Sequence, residues 1–186
     1  FVMENVPGLA KGIGKPFFEK TLEELKRAGY INLWHDILEV ADFGVPERRK
    51  RLVVMGLKNR SIALSGPSPT HRNPNKPENG LPIWKSVKEQ IDDLPPIKAG
   101  EQHPYDPLHK AAGLSPLNLE RMAFTPHDGG SRTSWPYRLW AECHKKLREK
   151  LLTGYTDIYG RMKWGFPSPT ITGGCAMISK GRYGHP

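Results

Sequence analysis

Glycine and proline are so frequent in this chain that they limit it to short regular elements. The 186 residues include 19 glycines and 18 prolines, about a fifth of the total. Both residue types interrupt helices and strands and favour turns. Five tryptophans and six tyrosines are also present, and such aromatic content is typical of a packed core rather than of a disordered chain. We therefore expect a folded protein with many turns and long irregular connections.

The N-terminal third shows the pattern of a small α/β unit. The apolar run Phe1–Met3 predicts a buried strand that stops at a Pro-Gly turn. A helix is predicted between Pro16 and Gly29, because proline suits a first helical turn and glycine suits a C-terminal cap. Two further strands are predicted, over Asn32–Val40 and Arg51–Leu57. The short link between them implies an antiparallel pair.

The sequence changes character near residue 65. Residues 65–82 contain five prolines and predict a linker or an extended entry into a second lobe. Short helices are predicted farther along, over Ile83–Leu94, Leu117–Phe124 and Pro136–Leu152. Long irregular connections separate these segments. We therefore expect the second lobe to be smaller and more irregular than the first.

The net charge of +9 indicates an anionic partner, with nucleic acid first and an acidic membrane surface second. The basic excess lies in Arg48–Arg51 and in residues 161–186, which contain no acidic residue. No apolar run approaches the length that spans a membrane. The chain opens within a predicted strand and without an initiator methionine, so we expect a fragment of a longer protein.

Two cysteines do not make a disulfide framework and fit a reducing compartment. Cys143 is predicted to be buried on a helix, and Cys175 to lie in a strand region. No metal-ligand spacing recurs, so no metal site is expected.

The segment Glu4-Asn5-Val6 follows the first predicted strand. Functional groups gather beyond the carboxyl ends of strands in α/β sheets, and a glutamate there can hold a proton or donate it to a ring nitrogen. The structural alternative is a glutamate that caps a neighbouring turn, and short motifs often occur by chance.

The segment Arg48-Arg49-Lys50-Arg51 precedes the third predicted strand. Alternation along an extended backbone would place Arg49 and Arg51 on one face. Two guanidinium groups on one face can bind a phosphate and a base carbonyl together. The alternative is a solvated basic turn that protects a sheet edge.

Four ordered segments together resemble the DNA (cytosine-5) methyltransferases. Phe1–Leu9 resembles the sixth conserved motif of that family, Glu-Asn-Val. Phe43–Gly56 resembles the eighth, Gln-x-Arg-x-Arg before a hydrophobic strand, and Arg161–Thr172 resembles the ninth, which ends in Pro-(Ser/Ala)-Pro-Thr-Ile-Thr. Gly181–Pro186 resembles the run that leads into the tenth. The variable segment between the eighth and ninth motifs, the target-recognition domain of the family, would be residues 65–158.

The resemblance implies an α/β fold: part of a Rossmann-like, S-adenosylmethionine-dependent methyltransferase sheet in residues 1–64, with a small irregular target-recognition domain. Residues 159–186 would return toward the catalytic domain. The parent enzyme would move a methyl group from S-adenosylmethionine to C5 of a flipped cytosine in double-stranded DNA. By the same analogy it would act in bacterial or phage restriction-modification, in the cytoplasm.

The resemblance also implies residue roles. Glu4 would contact N3 and the exocyclic amine of the flipped cytosine, while Arg49 and Arg51 would hold its O2 and the flanking phosphates. The remaining members of the predicted cytosine pocket and DNA path are Asn5, Val6 and Arg48. Glu47 stands where the family usually has glutamine, and it could still brace Arg49.

Further DNA contacts are expected in the second half of the chain. His127–Arg132 combines hydrogen-bonding side chains with glycines that permit close approach, and Arg132 could pair with guanine. An ordinary glycine turn is the alternative. Thr170 and Thr172 have hydroxyl groups of the kind that bind phosphates, although the neighbouring prolines equally suit a structural strap.

The chain also departs from the family. It has no Pro-Cys element to supply the nucleophile, and we expect no glycine-rich strand-to-helix turn for S-adenosylmethionine near its start. The isolated chain is therefore predicted to be inactive, to bind its cofactor mainly through parts outside it, and to self-associate through an exposed sheet edge. Two alternatives remain open: a non-enzymatic basic nucleic-acid-binding module, and a structural protein with proline-rich linkers.

Overall fold

The computed structural model describes residues 1–59, 61–149 and 158–186. It divides into two compact units, residues 1–84 and 85–186. The fold is mixed α/β, with small sheets. None of the helices in the described part of the chain is long and apolar enough to cross a membrane.

The first unit is built on a three-stranded sheet. Its elements in chain order are β1 (Val2–Asn5), α1 (Lys15–Arg27), β2 (Asn32–Glu39), β3 (Glu47–Arg48) and β4 (Lys50–Leu57). The sheet order is β1-β4-β2, and β4 is antiparallel to both neighbours. The predicted strands, the helix and the antiparallel pairing are thus confirmed. The first strand is not buried as predicted, because β1 lies at the edge of the sheet and Phe1 and Val2 are exposed.

Helix α1 covers one face of this sheet. Phe18 is buried against Leu52 and Val54 of β4, and these three residues form the core of the unit. Burial of a large apolar side chain contributes about 1.5–3 kcal/mol, so this contact holds α1 on the sheet. Pro16 lies in the first turn of the helix. Gly29 follows the last turn with a φ of 92°, a conformation that favours glycine.

The proline-rich segment after β4 packs on the end of the β2–β4 hairpin. The backbone oxygen of Asp42 accepts hydrogen bonds from the amides of Thr70 and His71, each at 2.9 Å. The indole nitrogen of Trp84 donates to the Asp42 carboxylate at 2.7 Å. The buried ring of Trp84 therefore fastens this segment to the first unit.

The second unit contains short elements joined by long connections. They are α2 (Lys88–Ile91), β5 (Gln102–His103), β6 (Asp106–Lys110), α3 (Pro116–Ala123), α4 (Glu142–Glu149) and β7 (Ser168–Pro169). Ser115 caps α3 by accepting from the amide of Asn118. The prediction of this helix is confirmed.

Two predicted helices are shorter than expected. The helix predicted over residues 83–94 forms only over α2, and residues 136–152 contain a 3-10 turn before α4. Trp140 separates that turn from α4 because its backbone is extended, with ψ at 138°. Residues 150–152 of the prediction lie outside the described residues. Cys143 is exposed and Cys175 lies in a turn, so both predicted environments were wrong.

Candidate functional site

An ion pair joins two of the residues predicted to form the site. Glu4 on β1 lies opposite Val53 of β4, and Arg51 is two residues farther along the same face. Their side chains meet diagonally across the strands, with Arg51 Nε 2.5 Å from Glu4 Oε1. The Glu4 side chain remains 57% exposed and that of Arg51 only 20%. The carboxylate is therefore held in place while it stays open to a ligand.

The pair lies on the sheet face opposite α1. Leu52 and Val54 point into the core with Phe18, and side chains alternate along a strand, so Arg51 and Val53 point the other way. The register of β1 against β4 therefore decides which face Glu4 occupies, and a slip of one residue would break the pair.

A second carboxylate organises the basic segment. The nearly buried Glu39, at the end of β2, accepts a hydrogen bond from the backbone amide of Arg49 at 2.6 Å and one from Arg48 Nε at 3.2 Å. The sequence reasoning missed Glu39. The sequence feature that could have indicated it is an acidic residue at the end of an apolar strand, followed later in the chain by a run of four basic residues.

The guanidinium of Arg49 has a different carboxylate partner from that of Arg51. A break in the strand pattern at Arg49 separates β3 from β4, and its guanidinium lies 3.9 Å from the carboxylate of Glu47. Glu47 thus braces Arg49, as predicted. Arg48 packs over the Trp84 ring at 4.9 Å. Glu4, Arg49 and Arg51 were expected to converge on one base. In the structure the Glu4 carboxylate contacts Arg51, whereas the Arg49 guanidinium lies near Glu47.

Asn5 and Val6 shape the turn after β1. The Asn5 side-chain oxygen accepts from the amide of Val6 at 2.8 Å, and the carbonyl of Val6 accepts from the amide of Leu9 at 3.1 Å. The side chain of Val6 is exposed. These bonds fix the backbone immediately beyond Glu4.

The connection from β1 to α1 contains Gly8, Gly12 and Gly14, and the expectation that no glycine-rich turn for S-adenosylmethionine lies near the start stays a prediction. Two amides bond within the connection: Lys11 donates to the carbonyl of Gly8, and Gly14 donates to that of Lys11. A side chain at Gly14 would collide with the carbonyl of Gly8. Close packing of the turn explains Gly14, and these amides are not free for a cofactor such as S-adenosylmethionine.

In the second unit, the loop predicted to read DNA is held by the C-terminal segment. Nδ1 of the exposed His127 lies 3.1 Å from the carbonyl of Pro186. Arg182 donates to the carbonyls of Gly129 and Gly130. The carboxylate of Asp128 accepts from the amide of Trp164 at 2.8 Å. These bonds give the loop a fixed backbone.

The position of Arg132 argues against its predicted role. The residue is only 4% exposed, and burial lowers the pKa of its guanidinium. Its interior position keeps the guanidinium from reaching a base edge, so the expected pairing of Arg132 with guanine is corrected. The nearby His144 is also buried, and its pKa is lowered by burial and by the positive charges of Arg132 and Arg121.

Thr170 and Thr172 are joined through one tyrosine. The Tyr183 hydroxyl donates to the carbonyl of Thr170 at 3.1 Å and lies 2.7 Å from the Thr172 hydroxyl. It also accepts from the amide of Thr172. These bonds connect Thr170 and Thr172 to the C-terminal segment that contains Tyr183. Thr172 itself stays exposed.

The family profile described as C-5 cytosine-specific DNA methylase matches residues 1–173. The chain belongs to this family. Type II methylase M.HgiDII of Herpetosiphon aurantiacus is 34% identical over 184 residues, covering 99% of this chain and 48% of that protein. Type II methyltransferase M1.HphI of Haemophilus parahaemolyticus is 35% identical over 174 residues, covering 93% and 40%. Type II methyltransferase M1.HgaI of Avibacterium volantium is 27% identical, covering 100% and 48%.

The match confirms the resemblance to DNA (cytosine-5) methyltransferases. It also removes the alternatives of a basic binding module or a linker protein without enzymatic relatives. The chain spans about half the length of the curated relatives it matches. Its two cysteines, Cys143 and Cys175, do not follow a proline, so neither belongs to a Pro-Cys element.

Proposed function

We propose that the protein transfers a methyl group to C5 of a cytosine in double-stranded DNA, as part of a restriction-modification system. In this proposal the chain supplies one wall of the cytosine pocket and the target-recognition region, residues 65–158. The relatives are type II methylases and methyltransferases by name, which supports the proposal. The single structural observation that carries it is the ion pair between Glu4, near the end of β1, and Arg51 of β4.

The pair suits recognition of a flipped pyrimidine. In its acid form, Glu4 can donate to N3 of cytosine while its other oxygen accepts from the exocyclic amine. Arg51 can donate to O2, the neighbouring acceptor on the same edge of the ring. Withdrawing electrons from N3 and O2 favours nucleophilic attack at C6. Asn5 and Val6 would shape this pocket.

The basic segment would hold the DNA backbone beside that base. Glu39 accepts from the guanidinium of Arg48 and from the backbone amide of Arg49, and a basic segment ordered in this way binds phosphates at a low entropic cost. His127, Thr170 and Thr172 are proposed as further DNA contacts from the second unit. Each contributes hydrogen-bonding groups on an ordered backbone.

The methyl donor and the nucleophile are proposed to lie outside this chain. S-adenosylmethionine supplies the electrophilic methyl group in this family, and the β1–α1 connection suits it poorly because the amides of Lys11 and Gly14 already donate to carbonyls of the same connection. The isolated chain is therefore proposed to be inactive.

Replacement of Glu4 by glutamine in the full-length enzyme tests the proposal. Glutamine keeps the shape of the side chain but cannot hold the acid proton, so we expect kcat to fall by about 100-fold or more, with DNA binding retained. The matched control is Glu19→Gln on α1, whose carboxylate is similarly exposed and 3.7 Å from Lys15. Turnover measured with tritiated methyl donor, and DNA affinity measured by filter binding, separate the two effects.

Two results would contradict the proposal. Glu4→Gln with the turnover of the control variant would remove Glu4 from the chemistry. A full-length protein that methylates no cytosine would remove the activity altogether.

A further inference from the structure

The carboxylate of Glu39 takes the place of a backbone acceptor where the pairing of β2 with β4 ends. The amide of Val40 donates to the carbonyl of Arg49 at 2.9 Å, which is one half of a hydrogen-bonded pair in an antiparallel sheet. In a regular sheet the amide of Arg49 would return a bond to the carbonyl of Val40. It donates instead to Oε1 of Glu39, at 2.6 Å. A side chain therefore completes the pairing at this position.

The turn after β2 explains why a side chain is used. Glu39 is the last residue of β2, and Val40–Phe43 form a 3-10 turn. The backbone therefore leaves the direction of the strand just where Arg49 needs an acceptor. The Glu39 side chain is nearly buried, and an amide left without an acceptor in such a place is destabilising.

Arg51 is only two residues beyond this bond. It is the second residue of β4 and pairs with Leu38, the neighbour of Glu39 on β2. Strand ends open more easily than strand centres because fewer bonds hold them. The contact between Arg51 Nε and Glu4 Oε1, at 2.5 Å, weakens steeply when the two atoms move apart. The bond from Arg49 to Glu39 is therefore well placed to keep the start of β4 closed.

We infer that Glu39 is a positioning residue for methyl transfer, which keeps Arg51 beside Glu4 by accepting the hydrogen bond from the amide of Arg49. The inference rests on the proposed function. It concerns the edge of the cytosine ring and the rate of the chemical step, and not the affinity of the basic segment for phosphates. A displacement of about 1 Å can lower a rate by about 100-fold, so the loss of one acceptor should be visible in that rate.

The acceptor and the charge of Glu39 can be separated by substitution. The second carboxylate oxygen accepts from Arg48 Nε at 3.2 Å, so removal of the whole group changes two contacts. Glu39→Gln keeps an oxygen for the amide of Arg49 and removes the negative charge beside Arg48. Glu39→Ala removes both. The inference requires that Glu39→Gln keep most of the rate that Glu39→Ala loses.

The test compares wild type, Glu39→Ala, Glu39→Gln and the control Asn32→Ala in the full-length enzyme. Asn32 begins β2, and its side-chain nitrogen donates to the carbonyls of Asn59 and Ile62 at 2.6 and 2.8 Å, so it fastens the opposite end of the same strand. Sequencing of methylated cytosines in a random DNA library identifies the target. The single-turnover rate of methyl transfer, the Kd for a duplex with that target, and the Tm are then measured for each form.

We expect Glu39→Ala to lower the single-turnover rate by at least about tenfold, with a Kd changed by less than about threefold. Glu39→Gln should stay within about threefold of the wild-type rate. Asn32→Ala should keep the rate within about twofold even where its Tm falls, because it loosens the end of β2 that is remote from Arg51. A loss in Glu39→Ala that is confined to the Kd, or that Asn32→Ala or Glu39→Gln equals, overturns the inference.

A double-mutant cycle with Arg51→Ala gives the decisive result. If Glu39 acts through Arg51, Glu39→Ala should change the rate by less than about twofold once position 51 is already alanine. Effects that multiply in the double variant overturn the inference and leave the proposed function intact. If Glu39→Ala does not fold, Glu39→Asp replaces it in the cycle, because it keeps the charge but draws the oxygen back from the amide. An inactive wild type overturns the proposed function, and the inference with it.

Discussion

Replacing Arg161 by alanine should remove the main polar link within the second unit. Its guanidinium donates to three backbone carbonyls, those of Thr125 at 2.9 Å, Met122 at 3.0 Å and His185 at 2.8 Å. The guanidinium of Arg161 is partly removed from water, and this burial lowers its pKa. Met122 and Thr125 lie at or just beyond the end of α3 and His185 lies far along the chain, so the guanidinium joins two segments that are distant in sequence.

The magnitude follows from the burial of the three bonds. The bonds to Thr125 and Met122 are part-buried, whereas the bond to His185 is exposed and can be replaced by water. A charged hydrogen bond contributes about 1.5–3 kcal/mol, and neighbouring bonds are not additive. Arg161→Ala should therefore lower the free energy of unfolding by about 3–4 kcal/mol. Arg161→Lys, which can keep one bond, should lower it by about 2 kcal/mol.

The control is Arg138→Ala. Arg138 pairs with Glu120 at 2.6 Å, but both side chains are exposed, so the loss of the pair should change stability little. Equilibrium unfolding in urea, followed by tryptophan fluorescence, gives these values from the shift of the midpoint at constant slope. Hydrogen exchange at the backbone amides of positions 125 and 161 reports the local loss of stability. If Arg161→Ala destabilises the protein no more than Arg138→Ala does, the hydrogen bonds of Arg161 do not stabilise the fold and the prediction is wrong.

Two further predictions concern pH and association. His144 has a lowered pKa in the folded state, so the unfolded state takes up its proton first. The free energy of unfolding should fall as pH drops below about 6.5, and a slope unchanged in His144→Gln would contradict this. The outer edge of β1 pairs with no strand in the described residues, so the isolated chain should self-associate with concentration. Since Phe1 bonds reciprocally with Gly56, the amide of Val2 faces outward. Val2→Pro should weaken association, and a strictly monomeric wild type in size-exclusion chromatography would refute it.

The sequence by itself determined the regular elements of the first unit and the family. Strands β2 and β4 and helix α1 follow from apolar spacing and from turn residues at their ends, which act over a few neighbouring positions. The short link between β2 and β4 determined their antiparallel pairing. The motif order was sufficient for the resemblance, because it depends on residue identity and not on contacts.

Only the tertiary structure decided which side chains meet and which are buried. The contact between Glu4 and Arg51 depends on the register of two strands far apart in the chain, and that register is set when the apolar faces of both strands pack on one core. Arg132 belongs to a polar, glycine-containing loop, which predicts an exposed side chain, but it lies in the interior. Cys143 falls within the apolar spacing of a predicted helix, which predicts burial, but it is exposed. Burial depends on what the rest of the chain packs around a residue, and that is settled only when distant segments come together.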